Sequence, residues 1–99
     1  MNQQTNTEAQ LTYLTEKQCG KSTPYNDGFR ILIKFPFQNE MIYADNFFLN
    51  TELIFPGDIS KSRLKIIAED VVLNKIYIGL DFDFYEAEIL IGHGVITSL

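Results

Sequence analysis

From Lys75 onward, apolar and polar residues alternate one by one. Ile76, Ile78, Leu80, Phe82 and Phe84 are interleaved with Tyr77, Gly79, Asp81, Asp83 and Tyr85. Period two is the pattern of a strand with one face in a core and the other in water. Glu86-Ala87-Glu88 interrupts the alternation and Ile89 to Val95 resumes it. The spacing therefore predicts an antiparallel hairpin in the last third of the chain.

The same reading applied upstream predicts four more strands. Glu8 to Thr15 places Ala9, Leu11 and Tyr13 on one side. Glu16 to Gly28 is a long connection rich in turn formers, ending in Asn26-Asp27-Gly28. In Phe29 to Phe37, the residues Ile31, Ile33, Phe35 and Phe37 share a face, and Arg30, Leu32 and Lys34 take the other. Pro36 has no N–H for a ladder, so that strand should stop or meet an edge there. Met41 to about Phe48 reads as a strand with a bulge at Ala44-Asp45-Asn46. After the turn Pro56-Gly57-Asp58, Ser62 to Ala68 sets Leu64, Ile66 and Ala68 against Arg63, Lys65 and Ile67. One turn of helix at Val71-Val72-Leu73 is the only helical expectation. Residues 1–6 read as a disordered tail and residues 7–99 as one domain. The fold class expected from the spacing is all-β: a small antiparallel barrel or sandwich of about six strands. Closure buries an apolar face that two strands alone leave exposed, and it removes sticky edges.

Composition agrees with one core. The chain has 99 residues, 45% of them apolar, with eight Phe and five Tyr, so neither a disulfide nor a metal is needed to hold it. Cys19 is the single cysteine, which excludes an internal disulfide and points to a reducing setting. Met1 to Thr7 is polar and uncharged, unlike a signal peptide. No apolar run approaches the roughly 20 residues that span a bilayer. The expected location is the cytoplasm. Charge is uneven: Lys75 is the only Lys or Arg after residue 65, against Glu69, Asp70, Asp81, Asp83, Glu86 and Glu88. With a net charge of −5, the chain is a poor default binder of nucleic acid, which requires local Lys and Arg density. The acidic part either faces a basic partner or is a solvated face.

Three anchors resemble, in order, the C-terminal (third) β-barrel domain of the translational GTPase elongation factor Tu. That family has Thr-Pro and then Gly-Tyr-Arg before a strand; here stand Thr23-Pro24 and Gly28-Phe29-Arg30. It has Pro-Gly-Asp opening a strand; here stands Pro56-Gly57-Asp58. It ends with Gly-Leu-x-Phe, a turn and Gly-x-Gly-Val; here stand Gly79-Leu80-Asp81-Phe82 and Gly92-His93-Gly94-Val95. The resemblance runs from about Glu8 to Ile96 and implies a small closed antiparallel β-barrel of about six strands, Greek-key-like, without the GTPase domain. Gly20-Lys21-Ser22 looks like the end of a P-loop, but Thr15 stands where its first glycine belongs, so no nucleotide is expected. The family's Arg-Glu-Gly-Gly turn, which resembles a contact for the T stem of tRNA, is Tyr85-Glu86-Ala87-Glu88 here. A cation and two glycines that let backbone approach phosphate are thereby replaced.

Candidate chemistry is sparse. Asp81 and Asp83, with Glu86 and Glu88 nearby, form a set able to hold a hard cation or exchange protons, or else a solvated face. His93 between Gly92 and Gly94 is a ligand or base candidate, but no second His or nearby Cys shares a metal with it, and close strand packing explains the two glycines. Cys19 between Lys17 and Lys21 is a thiol candidate. Two binding surfaces follow. Exposed tyrosines beside acids suit a protein interface, which gives Tyr77, Asp81, Asp83, Tyr85 and Glu86 as the partner-binding set. Lys21, Thr23, Arg30 and Lys34 form a candidate RNA contact. The reading is a non-enzymatic binding module without catalytic residues, metal or cofactor, engaging a protein. The alternative is a translation-linked accessory touching tRNA or other RNA.

Overall fold

The computed structural model describes residues 2–99. The elements in chain order are β1 (Asn2–Tyr13), α1 (Glu16–Cys19), β2 (Tyr25–Asn26), β3 (Phe29–Lys34) and β4 (Ile42–Phe48), then β5 (Leu53–Ile54), β6 (Ile59–Glu69), α2 (Asp70–Leu73), β7 (Asp81–Glu86) and β8 (Ile89–Ser98). Six strands close into an antiparallel barrel in the order β1-β6-β4-β3-β7-β8, while β2 and β5 pair apart. The strands β3, β4 and β6 form a meander, and β7 returns by a long crossover to lie beside β3. That is Greek-key topology. Among the described residues, no helix is long and apolar enough to cross a membrane.

The alternation places the core as expected. Ala9, Leu11, Ile31, Ile33, Leu64, Ile66, Phe82 and Phe84 all point inward and are buried. The aromatic rings form one continuous run through the interior. Phe37 stacks on Phe35, Phe35 meets Phe82 edge-on, Phe82 touches Phe84, and Phe84 meets Tyr13 edge-on. Tyr13 then touches Tyr25, which stacks on Phe29. Tilted and edge-on pairs let ring edges meet ring faces, which adds to the burial of large apolar area. The ladder of β3 ends at Lys34, two residues before Pro36.

Four expectations are corrected. Residues 2–6 are not a tail: they extend β1, with Asn2 opposite Glu69 and Asn6 opposite Lys65 on β6. A ladder needs only backbone groups, so polar side chains facing water do not prevent it. Met1 lies outside the described residues. The register of β4 with both neighbours is continuous, so there is no bulge at Ala44-Asp45-Asn46. Asn46 instead faces inward and donates from Nδ2 to the Tyr13 hydroxyl at 2.9 Å. The final hairpin is shorter than the alternation implied. The chain from α2 to Leu80 is a crossover over the barrel end, Gly79 turns with φ of 96°, and Ile78 is 63% exposed. Ile76 and Leu80 bury from that crossover and so mimic strand periodicity. Lastly, α1 was not expected. Gln18 Oε1 accepts from the Thr15 N–H at 2.9 Å, and Gly20 ends the turn in the left-handed region. Thr15-Glu16-Lys17-Gln18 carries that signal in its spacing.

A further irregularity sits opposite the Phe84–Tyr85 step, where the register with β8 shifts. The shift turns both Ile91 and Gly92 inward and leaves Ile89 exposed.

Burial pushes the phenols of Tyr13 and Tyr25 above their ordinary value, because the charged form loses its water. Their folded values exceed the unfolded ones, so their contribution is complete below about pH 10 and is lost as pH rises beyond it. The urea midpoint is expected to fall above about pH 10, and Tyr13→Phe to flatten that fall. Titrating the midpoint against pH checks this.

Candidate functional site

β7 alternates Phe82 and Phe84 inward with Asp81, Asp83 and Tyr85 outward. Its outward side chains therefore lie between β3 and β8. Asp83 stands in register with Lys34 on one side and His93 on the other. The His93 Nδ1 and an Asp83 carboxylate oxygen are 2.7 Å apart. Lys34 does not reach out to solvent: its Nζ donates to the Phe35 carbonyl at 3.0 Å and to the Gln38 carbonyl. Lys34, Pro36, Asp81, Asp83 and His93 line an open groove of about 570 Å³.

The glycines beside His93 have a packing cause. A Cβ on Gly92 would sit 2.4 Å from the Phe84 ring, and one on Gly94 equally near the Phe82 ring. The two rings lie flat over the strand where side chains would be, and this sets His93 outward between them. Among the described residues, no group of three or more His, Cys, Asp or Glu is placed to hold a metal ion. Cys19 and His93 line different cavities and make no pair.

The five residues expected to bind a partner do not form one patch. Tyr85 is half-buried in register with Leu32 and Leu90. Glu86 lies 3.6 Å from Lys21 Nζ. Asp83 is engaged by His93. Tyr77 stands in the crossover rather than on the strand, 57% exposed, with Asp81 four residues on at the start of β7. The free members are therefore Tyr77 and Asp81, at one end of the barrel.

The four residues of the candidate RNA contact are spread along the molecule. Lys21 is held by Glu86 and lies over the Tyr25 ring at 4.8 Å. Thr23 is exposed in the neighbouring bend. Arg30 donates to both carboxylate oxygens of Asp45, its cross-strand neighbour, and that charge raises its pKa further. Lys34, at the other end of β3, is bonded to backbone carbonyls. A phosphate would have to compete with a carboxylate or a carbonyl at each of the three cations.

Sequence reasoning passed over two surfaces. Lys61, Arg63 and Lys65 alternate along the outward face of β6, and none makes an ion pair among the described residues. The signal stands in the sequence as Lys-x-Arg-x-Lys, on the strand whose inward face the alternation gives. The crossover also exposes Val71 and Ile78, and the exposed Glu69, Asp70 and Asp81 stand at its two ends. No protein-family model matches the chain, and no curated protein matches it.

Proposed function

We propose that this chain is a non-enzymatic binding module that docks on a protein partner through the acidic end of the barrel. It acts in the cytoplasm, in keeping with its single cysteine, and needs neither cofactor nor nucleotide. The observation carrying the reading is that Tyr77 stands exposed four residues before the exposed Asp81, on a crossover anchored by the buried Val72, Ile76 and Leu80. An exposed tyrosine on a rigid support gives large contact area at small entropic cost. The anchors shared with the third domain of elongation factor Tu support the same reading, since a barrel of that kind serves as a docking unit in a larger factor.

The test is affinity capture from lysate with and without nuclease, using the parent and the double variant Tyr77→Ser with Asp81→Asn. A protein retained after nuclease by the parent and lost by the variant is the expected result. Capture unchanged in the variant, or RNA that vanishes with nuclease as the only product, overturns the reading.

A further inference from the structure

We infer that two copies of this chain pair edge to edge through residues 2–7 of β1, antiparallel about a two-fold axis at Gln4. The surface is distinct from the docking end above, and the inference goes beyond that reading.

Closure of the barrel leaves one stretch of edge. β1 pairs with β6 from Asn2, opposite Glu69, to Thr12, opposite Ile59. Its ladder with β8 begins only at Glu8, opposite Ser98. Residues 2–7 therefore have one side in a ladder and the other side free. Backbone groups of successive residues in a strand face opposite sides. The Tyr13 N–H donates to the Asp58 carbonyl, on the β6 side, and the Leu14 N–H to the Ile91 carbonyl, on the β8 side. The register with β6 runs without a shift. Counting back by twos sets the backbone groups of Thr7, Thr5 and Gln3 toward β6, and those of Asn6, Gln4 and Asn2 toward the free edge. Among the described residues, no backbone bond beyond the β6 ladder reaches residues 2–7.

Nothing guards this edge. Proteins blunt an exposed edge with charge, proline or a bulge. Residues 2–7 read Asn-Gln-Gln-Thr-Asn-Thr, without charge or proline, and their register is unbroken. The occupant that fits is the same stretch of a second copy. Set antiparallel about Gln4, Gln4 faces its own counterpart and Asn2 faces Asn6. Each such pair turns N–H and C=O toward the other and exchanges both backbone bonds. The side chains at these positions are exposed, so amide meets amide across the axis, each a donor and an acceptor, and no like charges are opposed. A second copy also brings its strand already extended along β6, whereas a flexible peptide loses backbone entropy at every residue it orders. The pairing stops at Asn6, before β8 takes up the edge opposite Glu8, so β8 is not displaced. Such a contact is isologous: it closes at two copies and does not propagate.

The experiment is sedimentation velocity of the purified chain over a range of concentrations, at low and high salt. The expected result is a mass that rises from one chain to two and no further, alike at both salts, because no ion pair holds the contact. Gln4→Pro removes the N–H at the axis and should raise the dissociation constant at least about tenfold, the effect of losing two backbone bonds. Its urea midpoint should stay near the parent's, because that N–H faces away from β6 and proline is tolerated on such an edge. The register is tested with every backbone N–H kept, in a chain carrying Cys19→Ser. Gln4→Cys should give a disulfide-linked pair in air, because residues opposed at the axis stand about 5.5 Å apart between Cα atoms. Asn2→Cys should not, because the two copies of residue 2 lie about 14 Å apart along the strands. A parent that sediments as one chain at every concentration overturns the inference and leaves the edge to an extended segment of another protein. A mass that grows beyond two chains overturns it, as does a dimer unchanged in a folded Gln4→Pro variant, or Asn2→Cys linking as readily as Gln4→Cys. Should Gln4→Pro unfold, the two cysteine variants decide.

Discussion

Phe82→Asp is expected to unfold the barrel. Phe82 is buried, meets Phe35 edge-on at 5.7 Å between ring centres, and covers Gly94 on the facing strand. An aspartate there brings a charge into an interior where, among the described residues, no cation is buried, and the gap left by the ring removes its packing. A buried unpaired carboxylate costs several kcal/mol, on the order of the roughly 5–15 kcal/mol that holds a small domain together. Far-ultraviolet circular dichroism and a thermal melt check it. Asp83→Ala, one residue along and facing water, is the control and should shift stability by less than about 1 kcal/mol. A Phe82→Asp protein that melts like the parent would show that the inward face of β7 has been assigned wrongly.

Gly92→Ala is expected to cost more than a surface change of one methyl group has any right to cost. The added Cβ would lie 2.4 Å from the Phe84 ring and 2.6 Å from the backbone oxygen of Thr12. The ring can shift only into a filled core, and the oxygen belongs to the ladder joining β1 to β8. Relief therefore means prying apart two strands of a closed barrel. Overpacking in cores typically costs about 1–3 kcal/mol, and backbone displacement puts this site at or above the top of that range. Gly94→Ala meets the Phe82 ring and a methyl of Leu11, which are side chains only, so its loss should be the smaller of the two. Urea denaturation of both variants tests the order. Equal stability of Gly92→Ala and parent would contradict the packing account of the Gly-His-Gly motif.

The barrel was legible because period-two patterning is a local consequence of strand geometry. Ala9, Leu11 and Tyr13, then Ile31 and Ile33, then Leu64 and Ile66, each announced an inward face, and each faces inward. Turn chemistry at Pro56-Gly57-Asp58 and the stop at Pro36 were readable for the same reason. The errors arose where the periodicity had another cause. Ile76 and Leu80 are buried from a crossover that plugs the barrel end, and Ile78 between them is exposed. Residues 2–6 carry no apolar alternation, yet they pair along β6 because a free ladder accepts any backbone.

For the candidate site, the sequence by itself determined which residue types were present and which face of a strand each would take. It put Asp81, Asp83 and Tyr85 outward and Phe82 and Phe84 inward, and the period of a strand is enough for that. Only the tertiary structure decided their neighbours. It paired Asp83 with His93, Glu86 with Lys21 and Arg30 with Asp45, and it set Tyr85 between Leu32 and Leu90. Among the described residues it also left Tyr77, Asp81 and the β6 cations outside any ion pair. The physical reason is range: the direction of a side chain depends on its own backbone, whereas its partner depends on strand order and register across the closed sheet, which no stretch of sequence carries alone.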